Sequence, residues 1–185
     1  VFRKLLEQIA GELSAQSIPY MIIGGQAILL YGEPRLTKDI DITLGIGAEE
    51  LQRVKSSVQN LRFKILIPDP EEFVKETMVL PTLHEKSGIR IDFIFSFSAY
   101  EHQAIQNARR INMGSQEVCF SSLEDVIIHK IIAGRPRDLE DVRSVLLKNP
   151  AFDLEYIEKW LTEFDESLDG NYLALFKKIQ DSLND

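Results

Sequence analysis

The chain opens on a helical repeat. Leu5, Leu6, Ile9 and Leu13 recur at a spacing that predicts an amphipathic helix ending before Pro19. Tyr20 to Ile23 is a short apolar run and reads as a buried strand. Gly24-Gly25 follows, then a helix-like segment from Gln26 to Tyr31 that closes at Gly32 and Pro34. In Asp39-Ile40-Asp41-Ile42-Thr43-Leu44, alternation predicts a strand with Ile40, Ile42 and Leu44 on one face and both carboxylates on the other. Helical spacing returns from Ala48 to Asn60. Phe63 to Ile67 reads as a strand before a loop containing Pro68 and Pro70, and Thr77–His84 with Ile89–Phe95 reads as a hairpin. The second hairpin strand is apolar nearly throughout, the pattern of a strand covered on both sides, with Asp92 in its middle.

Beyond the hairpin, Tyr100 to Ala108 predicts a helix and Gln116 to Phe120 a short edge strand. From Ser122 onward only helical patterns remain: Leu123–Ala133, about Asp138 to Leu147, Leu154–Phe164 and Tyr172–Leu183. Mixed elements followed by helices give an α+β fold, a mixed sheet with flanking helices and then a small helical lobe. The expected division is residues 1–121 and residues 122–185. Apolar and charged fractions of 44% and 27% are ordinary for a globular protein. The net charge of -8 argues against a broad basic surface for coating duplex nucleic acid. The single cysteine, Cys119, excludes an internal disulfide and fits a reducing compartment, so the expected location is cytoplasmic. Apolar runs are too short to span a bilayer. His84, His102 and His129 lack ligand spacing among themselves or with Cys119, and Trp160 lies beside an apolar helical stripe, which reads as core packing.

Candidate chemistry concentrates between Tyr20 and Leu44. A glycine pair ahead of a helix lets backbone amides approach an anion closely, and Arg35, Thr37 and Lys38 lead from it into Asp39 and Asp41. Two carboxylates on one strand face repel each other, and magnesium relieves that repulsion while also binding phosphate. Asp92, set in an apolar strand, needs a partner as well: Arg90 or a shared metal. Lys130 falls on the apolar stripe of its helix, which predicts either a pocket where an anion stabilises its charge or a packed stem with the head turned out to solvent. Asp138 and Asp141 have the spacing of an N-cap with an acid three residues on.

The pattern Gly24-Gly25, then Arg35-x-Thr37-x-Asp39-x-Asp41, then Asp92 in an apolar strand resembles the nucleotidyltransferase superfamily of DNA polymerase beta, in its compact prokaryotic branch. Ser122 to Lys130 and Gly134 to Val142 resemble the third and fourth motifs of the AbiEii-type nucleotidyltransferase toxins. The resemblance spans roughly Tyr20 to Leu147 and implies a polymerase-beta-like core. It implies transfer of a nucleoside monophosphate from a nucleoside triphosphate to an RNA or tRNA end or a protein hydroxyl, with two Mg2+ ions and an antitoxin as partner. By the same resemblance, Gly24, Gly25, Arg35 and Thr37 would bind the nucleotide. Asp39, Asp41 and Asp92 would be the metal carboxylates, Lys130 a triphosphate contact and Asp138 the acid of the last motif. Gly25 and Gln26 depart from the superfamily's common Gly-Ser turn. A small-molecule acceptor of the aminoglycoside type, or a module that binds nucleotide without catalysis, are the alternatives.

Overall fold

A computed structural model describes residues 1–33, 37–96 and 98–183. It has a mixed α+β architecture in which the chain divides into two compact units. Val1–Gln26 with Leu36–Ser121 forms the first, and Ala27–Arg35 with Ser122–Asp185 the second.

The sheet unit is built on α1 (Phe2–Ala15), β1 (Tyr20–Ile23), the start of α2 (Gly24–Tyr31), β2 (Asp39–Leu44), α3 (Leu51–Asn60), β3 (Lys64–Ile65) and α4 (Pro70–Thr77). It continues through β4 (Val79–His84), β5 (Ile89–Phe95), α5 (Ala99–Gln106), β6 (Arg109–Met113) and β7 (Gln116–Phe120). The seven strands run in the order β3-β4-β5-β2-β1-β7-β6. The sheet is mixed: β2 lies parallel to β5 and antiparallel to β1, while β1 lies parallel to β7. Alternation along the central strands sorts the faces. Ile22, Ile40, Ile42, Leu44, Ile91, Phe93 and Phe95 are almost wholly buried. Asp39 and Arg90 are exposed, and Asp41 and Asp92 half-buried, on the opposite face.

Several local expectations change. β5 alternates buried and open residues, so one face only is covered, and the apolar Ile94 on the open side hid that alternation. Gln116–Phe120 is an inner strand: β6, whose Arg-Arg-Ile-Asn-Met sequence carries little apolar signal, pairs antiparallel with it and takes the edge. The segment around Pro70 forms α4, with Pro70 in its first turn and Asp69 accepting from the Glu72 amide. The glycine pair is the first turn of α2 itself.

Within the helical unit, α6 (Leu123–Ala133), α7 (Pro136–Lys148), α8 (Leu154–Leu168) and α9 (Tyr172–Asp181) pack on one another around Val126, Ile127, Ile131, Val142, Val145, Ile157, Leu161 and Phe176. Ser122 caps α6 by accepting from the Asp125 amide and donates to the Asp125 carboxylate at 2.6 Å. The Tyr156 hydroxyl donates to the other oxygen of Asp125 at 2.9 Å, so a fully buried acid that composition does not reveal ties α8 to α6. Trp160 is buried beside Phe164. No helix among the described residues is long and apolar enough to cross a membrane.

A second buried polar cluster sits in the same unit. The Lys130 ammonium donates to Asp138 at 2.7 Å and pairs with Asp141 at 2.9 Å; Arg135 adds a bond to Asp138 at 2.5 Å. Lys130 and Asp138 expose 8% and 2% of their side chains, too little for either to be hydrated instead. Asp138 is not an N-cap: Arg135 takes that place, Pro136 starts the helix and Asp138 lies in its first turn. Burial alone would raise the Asp138 pKa. The hydrogen bonds from Arg135 and Lys130 outweigh it and hold the carboxyl below its ordinary value. A carboxyl with a lower pKa folded than unfolded stabilises the fold above the unfolded value of about 3.9, and that stabilisation fades as pH falls toward the folded value. Asp138→Asn is therefore expected to cost on the order of 3 kcal/mol in urea unfolding at neutral pH. The gap from wild type should shrink as the medium is acidified below about pH 4; a gap independent of pH would contradict this account.

Candidate active site

The candidate site is assembled at the centre of the sheet. β1, β2 and β5 are consecutive neighbours, and their register aligns Ile23 with Asp41 and Asp41 with Asp92. Parallel neighbours lie about 4.8 Å apart, and aligned residues project to the same side. Asp41 and Asp92 thus stand side by side on the open face, with Asp39 one pleat along β2 and aligned with Arg90.

Gly24 continues directly from Ile23, so the first turn of α2 begins beside Asp41. Its φ of +63° lies in the left-handed region. A Cβ placed on Gly24 would fall 2.3 Å from Asp41 Oδ2, so any side chain there would displace that carboxylate. The absent side chain is what lets the start of a helix approach a carboxylate this closely. The first amides of a helix have no partner within the helix, so this corner places anion-seeking N–H groups next to cation-seeking oxygens.

Gln26, in the same helical turn, is buried, and its amide donates to the Thr37 hydroxyl. The expected nucleotide-binding threonine is thereby tied to the glycine corner across the connection that leads into β2. Lys38 is exposed, and Arg35 lies outside the described residues. Thr37 and Lys38 line a groove of about 590 Å³ with His84, Lys86 and Ile89. A larger groove, about 1010 Å³, runs along Lys4, Glu7, Arg62 and Glu85; the lining of neither groove includes any of the three carboxylates.

Asp92 meets its need for a partner through Arg90. The guanidinium Nε donates to Asp92 Oδ1 at 2.7 Å, with the arginine side chain 54% exposed and the aspartate 17%. The hydrogen bond to Asp92 raises the Arg90 pKa, and the charges of Asp41 and Asp39 add to that effect. The supposed burial of Asp92 on both sides does not hold; the carboxylate shares an open face with two others. Lys130 and Asp138 lie in the helical unit, where they pair with each other.

Whether these residues suit magnesium follows from their chemistry. Asp39, Asp41 and Asp92 offer hard carboxylate oxygens. Among the described residues, no group of three or more acidic, histidine or cysteine side chains gathers closely enough to hold a metal ion. The aligned pair Asp41 and Asp92 nevertheless fits the mode magnesium favours, one or two carboxylates with water and substrate phosphate filling the remaining positions. Gly24, with no side chain, leaves the Asp41 carboxylate against the start of α2, where a phosphate on the helix amides would lie beside such an ion.

Comparison with known proteins agrees with this fold. The antibiotic-resistance factor ANT(2'')-Ia superposes with a TM-score of 0.58 at 17% identity, covering 98% of this chain and 94% of its own. A nucleotidyltransferase-like antigenic protein from Paracoccidioides brasiliensis gives a TM-score of 0.54 at 17% identity, covering 89% and 87%. The lincosamide antibiotic adenylyltransferase LnuA, in its lincomycin-bound form, gives 0.52 at 20% identity, covering 77% and 94%. At these identities the likeness establishes the fold. No curated protein matches the sequence significantly. The family model described as "Nucleotidyltransferase of unknown function (DUF6036)" matches residues 2–175, nearly the whole chain, and the protein belongs to that nucleotidyltransferase family.

Proposed function

We propose that the chain transfers a nucleoside monophosphate from a nucleoside triphosphate to an acceptor hydroxyl in a magnesium-dependent reaction that releases pyrophosphate. The observation that carries this reading is Gly24 against Asp41, an anion-binding helix start and a carboxylate pair brought together by one missing side chain. The amides of Gly24 and Gly25 hold triphosphate oxygens, and Gln26 keeps Thr37 positioned beside them. Asp41 and Asp92 bind Mg2+, with Asp39 as the third carboxylate. Bound there, the ion neutralises phosphate charge and makes the acceptor hydroxyl more acidic. The residues contribute by positioning and by fixed charge, the main resources of phosphoryl transfer.

For Lys130 and Asp138 the resemblance implies a triphosphate contact and a last-motif acid. Their pairing inside the helical unit supports a scaffold role. A Lys130→Met variant separates the two, since a scaffold defect lowers stability while a lost triphosphate contact raises the KM for nucleotide in a folded enzyme.

The toxin-type reading, with an RNA end or protein hydroxyl as acceptor and an antitoxin as partner, rests on the resemblance of the segments from Ser122 to Val142. A small cationic acceptor is supported by the open face, where Arg90 is set against three carboxylates. It is also supported by the fold neighbour ANT(2'')-Ia, which has been seen in complex with adenylyl-2''-tobramycin at a TM-score of 0.58.

The deciding assay supplies each α-labelled nucleoside triphosphate with magnesium to total tRNA, cell protein, tobramycin and lincomycin. Label should pass to one acceptor class, and Asp41→Ala and Asp92→Ala should each reduce transfer by at least about 100-fold. Retention of labelling by the Asp39→Ala/Asp41→Ala double variant would sink the assignment. Gly24→Ala should lower transfer by about tenfold or more while circular dichroism stays native. It adds left-handed strain of about 1–2 kcal/mol and pushes Asp41 aside. Unchanged turnover in Gly24→Ala would mean that the corner does not hold the nucleotide.

A further inference from the structure

On β2 and β5, the two strands that carry the carboxylates, the open face holds a single cation. Arg90 is two residues before Asp92 on β5, so both project to the same side, and its register partner on β2 is Asp39. Its Nε holds Asp92 Oδ1 at 2.7 Å, on the carboxylate that Asp92 would offer to a metal shared with Asp41.

We propose that Arg90 is a built-in counter-ion for the carboxylate face: it occupies Asp92 while no divalent cation is bound, yields when one arrives, and then turns to the triphosphate. The inference rests on the metal-dependent reading above. It makes cation binding weak in the free protein and strong in the presence of nucleotide.

Three observations support it. Arg90 opposes a dication, because a guanidinium held on Asp92 Oδ1 and a divalent ion on the same carboxylate are like charges at close range. Arg90 is the partner free to move: its side chain is 54% exposed against 17% for Asp92, so a swing of the arginine needs no repacking. The pair is also inexpensive to open, since a partly exposed ion pair contributes little net stability. An arginine dedicated to architecture would be expected at a buried position, as Lys130 is. Once released, a planar guanidinium on the carboxylate face suits phosphate oxygens, which it binds through two parallel hydrogen bonds.

The test uses the whole chain and Mn2+ as the probe ion, with free ion read by electron paramagnetic resonance. Binding is measured with and without a triphosphate whose α,β-bridge resists transfer. Removing the counter-ion in Arg90→Gln should tighten nucleotide-free Mn2+ binding by about five- to tenfold. It should also shrink, by a similar factor, the extra Mn2+ affinity that the triphosphate confers. Arg90→Lys, which keeps the charge but loses the planar fork, should fall between the two proteins. In EDTA, Arg90→Gln should melt at or below the wild-type temperature and gain more than wild type when Mn2+ is added. Equal Mn2+ affinity in wild type and Arg90→Gln, or weaker binding in the variant, would overturn the role of Arg90 while leaving the metal site standing. Absence of Mn2+ binding by both proteins, with and without triphosphate, would overturn the metal-dependent reading and this inference together.

Discussion

Three carboxylates on one face of two neighbouring parallel strands repel one another, and the sheet unit is arranged to live with that repulsion. Ile40, Ile42, Ile91 and Phe93 bury the reverse face of the same strands, so the acids cannot turn away without exposing the core. The opposing charge comes from Arg90, and the opposing partial charge from the start of α2, brought into range because Gly24 has no side chain. A face with this excess of negative charge beside free helix amides is suited to a metal–phosphate ligand, which carries both signs.

The two units treat charge differently. In the sheet unit the acids are open or half-buried, and their arginine partner is mostly exposed. In the helical unit the acids are sealed: Lys130 pairs with Asp138 and Asp141, and Asp125 is closed by Ser122 and Tyr156. Buried and mutually satisfied groups specify packing, whereas exposed and loosely partnered ones remain available to a ligand. This contrast is the ground for proposing the central carboxylates as the chemical centre and the Lys130 cluster as structural.

Much of the site could be read in the sequence because alternation in Asp39–Leu44 determines sidedness without tertiary information, and a strand–glycine–helix order is a local signal. The inference for Asp92 began from a false premise. An almost continuous apolar run suggested burial on both sides, but Ile94 occupies the open face and Arg90 already partners the acid. For Lys130 the need for a charged partner was legible in its place on the apolar stripe. The partner's identity was not, because Asp138 and Asp141 come within reach only when α7 folds back on α6. β6 and α4 carry little sequence signal for local reasons: one is an edge strand of mostly polar residues, and the other is a helix opened by a proline that reads first as a loop. Gln26 gave no signal at all, since a glutamine that fixes a threonine eleven positions away can be recognised only in three dimensions.

The central claim is that triphosphate and divalent ion meet at the corner formed by Gly24, Asp41 and Asp92. The most direct measurement is a crystal structure with Mn2+ and a non-transferable nucleoside triphosphate, collected for manganese anomalous signal. The account predicts an anomalous peak in bonding contact with Asp41 and Asp92, with triphosphate oxygens against the amides of Gly24 and Gly25. A triphosphate bound elsewhere on the protein, with no manganese between those two carboxylates, would contradict it.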